Sequence, residues 1–240
     1  MESAPGKPKM LYRRLGNTGI KVSVYGFGNW VTTNTPEQQA LMQDVMVYAH
    51  DAGINFFDTA EAYGAGEGEK FFGKVFSKYS WPRSSYVLST KIYWGGAGVN
   101  DKGLSRKHVI EGMNNSLKRL QQDYCDVVFC HRPDRDTPIE ETVRAMNYLI
   151  KENKTLYWGT SEWSAAQIVE AYRQADLNGL IPPVVEQPQY HMLCRERFEK
   201  EYDFIFRNFN YGSTTWSPLA SGVLSGKYNS GERLKGTRLG

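Results

Sequence analysis

Two kinds of segment alternate along the chain. Short runs rich in β-branched and aromatic residues occur at residues 24–27, 55–58, 86–91, 126–131, 157–160, 184–187 and 213–216. Most are too short and too continuously apolar to be strands with one face in water. They suit parallel strands covered on both faces. Between them, apolar residues recur near the helical period: Leu41, Val45, Tyr48 and Ala52; Val109, Met113, Leu117 and Leu120; Ile139, Val143, Met146 and Ile150. These spacings predict amphipathic helices with those residues on the apolar face.

Helix starts are marked locally. Thr35-Pro36-Glu37-Gln38 reads as a capping box with proline at the first helical position. Thr137-Pro138-Ile139-Glu140 repeats the arrangement, and Ser164-Ala165-Ala166-Gln167 is a third box. Gly53 suits a left-handed helix stop. Residues 12–15 and 21–23, flanking Gly16-Asn17-Thr18-Gly19, predict a small β-hairpin ahead of the repeating units.

Repeated strand–helix units predict a parallel α/β protein. Gly28-Asn29-Trp30-Val31-Thr32, after the first run, is not the G-x-G-x-x-G of a dinucleotide-binding Rossmann sheet. Gly64-Ala65-Gly66-Glu67-Gly68 lacks the ending of a P-loop. The expected fold is therefore a (β/α)8 TIM barrel with an N-terminal β-hairpin. Seven barrel strands are readable where closure needs eight. An unclosed barrel leaves the first and seventh strands with unpaired edges, so either the last βα portion is missing or something else covers the gap. The expected organisation is a flexible tail over residues 1–9 and one barrel domain over 10–240, incomplete at its C-terminal end.

Composition narrows the class. A chain of 240 residues with 40% hydrophobic and 23% charged residues fits a soluble globular protein. A formal charge of +3 without a long basic run offers no nucleic-acid patch. The longest apolar runs are strand-length, so no membrane-spanning helix is expected. The polar, proline-containing residues 1–9 form neither a signal nor a transit peptide. Cys125, Cys130 and Cys194 fit no metal-ligand spacing and read as buried or half-buried free thiols. A reducing, cytoplasmic compartment follows. No metal site is expected.

In barrels of this kind chemistry gathers where strands end and loops begin. Asp58 is placed at the end of the second strand and Tyr63 in the loop after it. Lys91 is placed at the end of the third strand and His131 at the end of the fourth. A tyrosine hydroxyl, with an ordinary pKa of about 10, releases its proton reluctantly at neutral pH. A neighbouring lysine ammonium stabilises the phenolate, and an aspartate beside the lysine keeps it charged in a desolvated site. A histidine can hydrogen-bond and orient a carbonyl. Singly, each residue has an ordinary structural reading as a cap, a packed ring, a solvated lysine or a structural imidazole. Their joint placement at successive strand ends favours acid–base chemistry on a carbonyl, with a cofactor delivering hydride.

Further segments carry a family resemblance. Phe57-Asp58-Thr59-Ala60-Glu61-Ala62-Tyr63-Gly64 is similar to the aldo-keto reductase signature. Thr90-Lys91, Asp126-Val127-Val128-Phe129, Trp158-Gly159-Thr160-Ser161 and Trp216-Ser217-Pro218-Leu219-Ala220 resemble other blocks of that family in order, over about residues 10–228. Ile92-Tyr93-Trp94-Gly95-Gly96, Gly103-Leu104-Ser105-Arg106-Lys107-His108, Arg132-Pro133-Asp134 and Tyr190-His191-Met192 resemble the potassium-channel β-subunit subgroup with its plant and microbial relatives.

The resemblance implies catalysis by Asp58, Tyr63, Lys91 and His131, with NADPH/NADP as cofactor. Ser161 and Gln187 match residues that hold the nicotinamide amide, and Trp216 matches the aromatic stacked on its ring. Ser217, Pro218, Leu219, Ala220 and Ser221 match the loop around the pyrophosphate, with Lys227 a cation near it. Asn29 and Trp30 match residues near the nicotinamide and the substrate pocket, as does Asp58. His131 departs from the asparagine usual in animal β subunits and agrees with the wider reductase family, which favours catalysis. Glu162 departs from the asparagine or arginine common in relatives. The segment that clamps the adenosine 2′-phosphate in the family lies beyond this chain, so NADP is inherited from the resemblance.

Three functions are open at this point. The first is NADPH-dependent reduction of aldehydes and ketones, with Tyr63 as proton donor and a small carbonyl substrate. The second is a channel β-type regulatory subunit sensing cofactor redox state, partnered by a potassium-channel α subunit. The third is an inactive truncated member. A homotetramer is implied by the subgroup. So is a cytoplasmic location, peripheral at the membrane through a channel partner, with no direct membrane insertion and no nucleic acid.

Overall fold

The computed structural model describes residues 9–30, 35–231 and 235–239. The tail expected over residues 1–9 lies, apart from Lys9, outside the described residues.

Strands β1 (Tyr12–Arg14) and β2 (Lys21–Ser23) pair antiparallel, with Tyr12 opposite Ser23. The Leu15 N–H donates to Ile20 O at 3.0 Å and closes the turn, and the Thr18 hydroxyl donates to Leu15 O at 2.7 Å. Gly16 has φ +60°, and a Cβ there would stand 2.6 Å from both Gly212 N and Val184 O. Only glycine lets this turn approach the sheet so closely.

The remaining strands are β3 (Gly26–Gly28), β4 (Phe56–Asp58), β5 (Val87–Ile92), β6 (Cys125–Cys130), β7 (Thr155–Thr160), β8 (Val185–Glu186) and β9 (Gly212–Ser213). They form one seven-stranded sheet in sequence order, and each neighbouring pair is parallel. Helices α1 (Pro36–Asp51), α2 (Glu67–Tyr79), α3 (Arg106–Leu120), α4 (Ile139–Lys151), α5 (Ala165–Leu177) and α6 (Asp203–Phe209) lie between successive strands. Among the described residues β3 and β9 do not pair with each other. The fold is thus a curled, partial TIM barrel opened at that seam, as the seven readable strands imply.

Alternating side chains on the strands build two apolar cores. Phe56, Val87, Val127, Phe129 and Val185 pack inside the curl, where Leu15 and Val22 of the hairpin join them. Phe57, Leu88, Val128 and Trp158 face the helices and meet Phe72, Met113 and Met146. Phe57, Phe72 and Leu88 are fully buried, and each such burial contributes roughly 1.5–3 kcal/mol relative to exposure. The hairpin packs against the N-terminal ends of the strands, which leaves the C-terminal ends for the loops that carry polar side chains.

Several expectations need correction. The stripe Leu41, Val45, Tyr48 and Ala52 is exposed, Tyr48 at 72%, and α1 instead buries Met46 and Ala49. Helix α1 follows β3, which among the described residues pairs with β4 alone and so lies at an edge of the sheet. Thr137 does not cap α4. Its hydroxyl donates to Asp134 Oδ2 at 2.7 Å, and Pro138 occupies the cap without a side-chain bond. The boxes at Thr35 and Ser164 both form. The runs 184–187 and 213–216 shorten to β8 and β9, so Trp216 lies beyond β9, bridged singly to Gln189. Strand β5 runs through Lys91 to Ile92, and His131 follows the last residue of β6.

Helix α2 has no counterpart among the expected helices. Its two glycines conceal it, although Phe72, Val75 and Phe76 keep helical spacing and are buried. Cys125 and Cys130 are buried free thiols, and Cys194 is a half-buried one. No helix among the described residues is long and apolar enough to cross a membrane.

Candidate active site

The parallel register sets the site. Asp58 stands opposite Ser89 at the end of β4, and Lys91 lies two residues beyond Ser89 on the same face of β5. Both β5 side chains therefore reach Asp58. The Ser89 hydroxyl donates to Asp58 Oδ1 at 2.6 Å, and the Lys91 ammonium donates to Asp58 Oδ2 at 2.5 Å. Lys91 is fully buried and spends its other two protons on Thr59 O at 2.7 Å and the Tyr63 hydroxyl oxygen at 3.0 Å. Its three donors are thus matched by three acceptors, which is what a buried ammonium requires.

Burial pulls the Lys91 pKa down, but the Asp58 carboxylate and the Tyr63 oxygen outweigh it and hold the group above the usual lysine value. The site therefore keeps a fixed positive charge beside the Tyr63 oxygen. His131 completes the group, its ring 5.9 Å from that of Tyr63 and nearly perpendicular to it. Burial, then the cations of Lys91 and Arg132, push this imidazole down to about 2. It is neutral near physiological pH and has one N–H to donate. The four residues expected to act together are brought together.

Two loops fix them. The Glu61 N–H donates to Lys91 O at 3.2 Å, and Glu61 Oε1 accepts from Tyr93 N–H at 2.6 Å with His108 Nε2 3.1 Å away. This buried pair ties the loop carrying Tyr63 to the loop after β5. Behind the sheet, the fully buried Glu69 accepts from the Thr90 hydroxyl at 2.5 Å and from Arg119 Nε at 2.6 Å, locking α2 to β5 and α3. Residues facing the helix layer beneath a site carry no motif for chemistry, so these partners are missed in the sequence. Ser89 could have been found from its two-residue spacing to Lys91.

The residues matched to cofactor binding divide. The Ser161 hydroxyl donates to Gln187 O at 2.8 Å, and Gln187 Nε2 donates to Asp58 Oδ1 at 3.3 Å, so the ends of β7 and β8 join the Asp58 cluster. Arg132 Nη1, also missed, donates to Ser161 Oγ at 3.2 Å. Trp216 is half-buried and gives its indole N–H to Glu162 Oε1 at 3.0 Å. Trp30 is exposed with its ring 6.5 Å from Tyr63. Asn29 is buried and donates its amide to Gly68 O at 2.7 Å, a bond that anchors the start of α2.

Ser217, Pro218, Leu219 and Ser221 line a cleft with Lys227, and Ala220 belongs to the same turn. Arg238, which the sequence reading passed over, lines it too and lays its guanidinium 4.5 Å above the Trp30 ring.

The aldo/keto reductase family model matches residues 24–238, nearly the whole of the described barrel. The chain is a member of the aldo/keto reductase family. Two curated relatives bear the name probable voltage-gated potassium channel subunit beta. The protein from Arabidopsis thaliana is 54% identical over 222 residues, covering 92% of this chain and 68% of its own length. The protein from Oryza sativa subsp. japonica is 51% identical over 226 residues, with the same two coverages. This aldo/keto reductase thus belongs to a family of oxidoreductases, whose members generally use a nicotinamide dinucleotide.

The residues present fit such a cofactor. Ser217, Ala220, Ser221 and Gly222 all take positive φ, from 48° to 94°. The Ala220 and Gly222 N–H groups bond within this tight turn, to Ser217 O and Leu219 O at 2.9 Å, so the Ser217 and Ser221 hydroxyls and the Lys227 ammonium are the donors that suit a phosphate here. Gly222, at φ +94°, lets the Lys227 side chain lie against the turn, where a Cβ would stand 2.5 Å from Lys227 Cε. Trp216 offers an aromatic face, and Ser161 and Gln187 offer amide partners beside Asp58.

Proposed function

We propose that this aldo/keto reductase reduces small aldehydes and ketones with NADPH, with Tyr63 as the proton donor. The observation that carries the reading is the Lys91 ammonium, held by Asp58 at 2.5 Å and donating to the Tyr63 oxygen at 3.0 Å. When bound, the cofactor supplies hydride to the carbonyl carbon. Tyr63 passes its O–H proton to the carbonyl oxygen, and an alcohol results. The phenolate left behind is stabilised by the Lys91 charge until it takes a proton from solvent. Asp58 keeps Lys91 charged. His131, neutral, donates its N–H to the carbonyl oxygen and orients it.

Ser161 and Gln187 hold the nicotinamide amide, and Trp216 supports its ring. Ser217, Pro218, Leu219, Ala220, Ser221 and Lys227 surround the pyrophosphate, while Asn29 and Trp30 border the nicotinamide and the substrate. Following NADPH absorbance with a panel of aldehydes tests the reading. Turnover that falls by about 100-fold or more in Tyr63→Phe supports it. Absent turnover, or turnover unchanged in that variant, overturns it.

The names of the two relatives favour a second reading, a β-type subunit bound to a potassium channel and sensing cofactor redox state. A homotetramer held on the cytoplasmic side of the membrane by that channel fits this reading. Co-purification with a potassium-channel cytoplasmic domain, together with the mass of the assembly in solution, tests it. Lack of association, or a monomer, counts against it.

A further inference from the structure

Glu162 is partly buried beside the candidate nicotinamide residues, and its carboxylate is fully engaged. It follows Ser161 at the end of β7 and takes φ +59°, a conformation that side-chain-bearing residues adopt only at a cost. There its carboxylate accepts three hydrogen bonds. Trp216 Nε1 donates to Oε1 at 3.0 Å, Gln189 N donates to the same oxygen at 2.7 Å, and Arg197 Nη1 donates to Oε2 at 2.8 Å. Arg197 is brought within reach by a single π-helical turn, Arg197–Glu201, and also pairs with Glu201 at 3.4 Å. The indole N–H of Trp216 is thus fixed by a carboxylate that is itself fixed from its far side.

The Trp216 ring is half-buried on a loop. It lies past the end of β9, attached to the sheet by its N–H to Pro188 O at 3.1 Å and the bridge to Gln189. A half-buried ring on such a loop samples several rotamers unless its polar edge is bound. Gln189 N–H bonds to the same Oε1, so one oxygen sets both the backbone beside Trp216 and the plane of its ring.

We infer that Glu162, braced by Arg197, is a positioning residue that presents the Trp216 ring as a preformed platform for the nicotinamide. This rests on the cofactor reading above. Preorganisation of this kind appears in affinity, because a ring already in place loses no freedom when the ligand docks.

The test uses the full chain, with NADPH as the probe, in Glu162→Ala, Glu162→Gln, Trp216→Phe and the Glu162→Ala/Trp216→Phe double variant. The phenylalanine keeps an aromatic face and lacks the N–H that Glu162 holds. In Glu162→Ala the Kd for NADPH, read by quenching of tryptophan fluorescence, is expected to rise about tenfold, the scale of one charge-assisted hydrogen bond. Glu162→Gln keeps an acceptor and recovers most of that loss. In the Trp216→Phe background, Glu162→Ala changes Kd by clearly less than in the parent, because the indole N–H is gone and only the Gln189 bond is left to lose.

A second readout needs no cofactor. The indole N–H resonance of Trp216, identified by its absence in Trp216→Phe, moves upfield in Glu162→Ala and returns toward its place in Glu162→Gln. An unchanged Kd in Glu162→Ala, an equal loss in both backgrounds, or an unmoved indole resonance each overturns the inference. If the parent chain binds no NADPH while the resonance behaves as expected, the cofactor reading fails and the platform role falls with it. The hydrogen bond itself then stands.

Discussion

The Lys91 ammonium donates to the Tyr63 oxygen at 3.0 Å, and this bond orients the hydroxyl's own hydrogen. With one lone pair of the oxygen engaged by Lys91, the O–H points away from the ammonium. It is free to bond an oxygen brought to the mouth of the barrel. The 2.5 Å contact to Asp58 keeps the ammonium in place for this task. Lys91→Met is accordingly expected to lower kcat by about 10²–10⁴-fold, the range for loss of effective general acid catalysis. Steady-state assays with a saturating aldehyde check it.

The same pair sets a stability relationship. Breaking a buried ion pair from one side costs about 3–5 kcal/mol, because the remaining charge is stranded. The Asp58 side chain is 17% exposed and that of Lys91 only 1%. Lys91→Met, which strands the wetter charge, is therefore expected near the lower end of that range, and Asp58→Asn near the upper end. The double variant is expected to lose less than the sum of the two. Urea midpoints of the four proteins give the coupling.

His131 gives a pH prediction with a definite sign. Its folded pKa is depressed to about 2, whereas an unfolded imidazole titrates near about 6.5. Above that value neither state is charged, and the residue is indifferent to pH. Below it the unfolded state takes a proton that the folded state refuses, so stability falls as pH falls. At about pH 5 the loss amounts to about 2 kcal/mol. His131→Gln lacks this loss and should gain on the parent as the solution is acidified. The His131 ring resonances should show no titration between about pH 5 and 8.

Glu186 predicts the opposite slope. Its carboxyl is buried behind β8 and pushed up to about 8, while hydrogen bonds from the Thr160 and Tyr202 hydroxyls only partly offset the burial. From about pH 4.5 to 8 the unfolded chain is ionised at this position and the folded chain increasingly resists it, so stability declines as pH rises. Glu186→Gln imitates the protonated group. It is expected to raise stability at pH 8 by at least about 1 kcal/mol and to leave it nearly unchanged at pH 4. Thermal unfolding at the two pH values distinguishes these outcomes.

Much of this molecule is legible in its sequence. Buried parallel strands announce themselves by continuous apolar runs, and the polar residues that end them, Asp58, Lys91 and His131, stand out against that background. What escapes has physical causes. The Leu41, Val45 and Tyr48 stripe has the right period and the wrong destination, because periodicity does not say which neighbour exists. Thr137 has the spacing of a cap, but Asp134, three residues away, takes its hydroxyl. Helix α2 is disguised by Gly68 and Gly73, which are required by contacts made elsewhere in the fold. Arg197 and Trp216 lie 35 and 54 residues from Glu162, and only the folded chain shows that both bond its carboxylate.

Gly73 makes that point measurable. A Cβ on it would stand 2.6 Å from Arg119 O and 2.8 Å from Leu120 O, both backbone atoms that cannot swing aside. Gly73→Ala is expected to lose about 1–3 kcal/mol by overpacking, despite alanine's higher helix propensity. Chemical denaturation reads the sign, which propensity and packing predict oppositely.

We propose that this chain transfers hydride from NADPH to a carbonyl carbon while Tyr63 protonates the oxygen. The most direct measurement supplies NADPH deuterated at the reactive carbon, with an aldehyde, to the parent protein and to Tyr63→Phe. The alcohol is then read by mass spectrometry. The predicted result is an alcohol from the parent carrying the deuterium on its carbinol carbon, formed at least about 100-fold more slowly by Tyr63→Phe. An alcohol without the deuterium, or one formed equally fast by both proteins, would contradict the account.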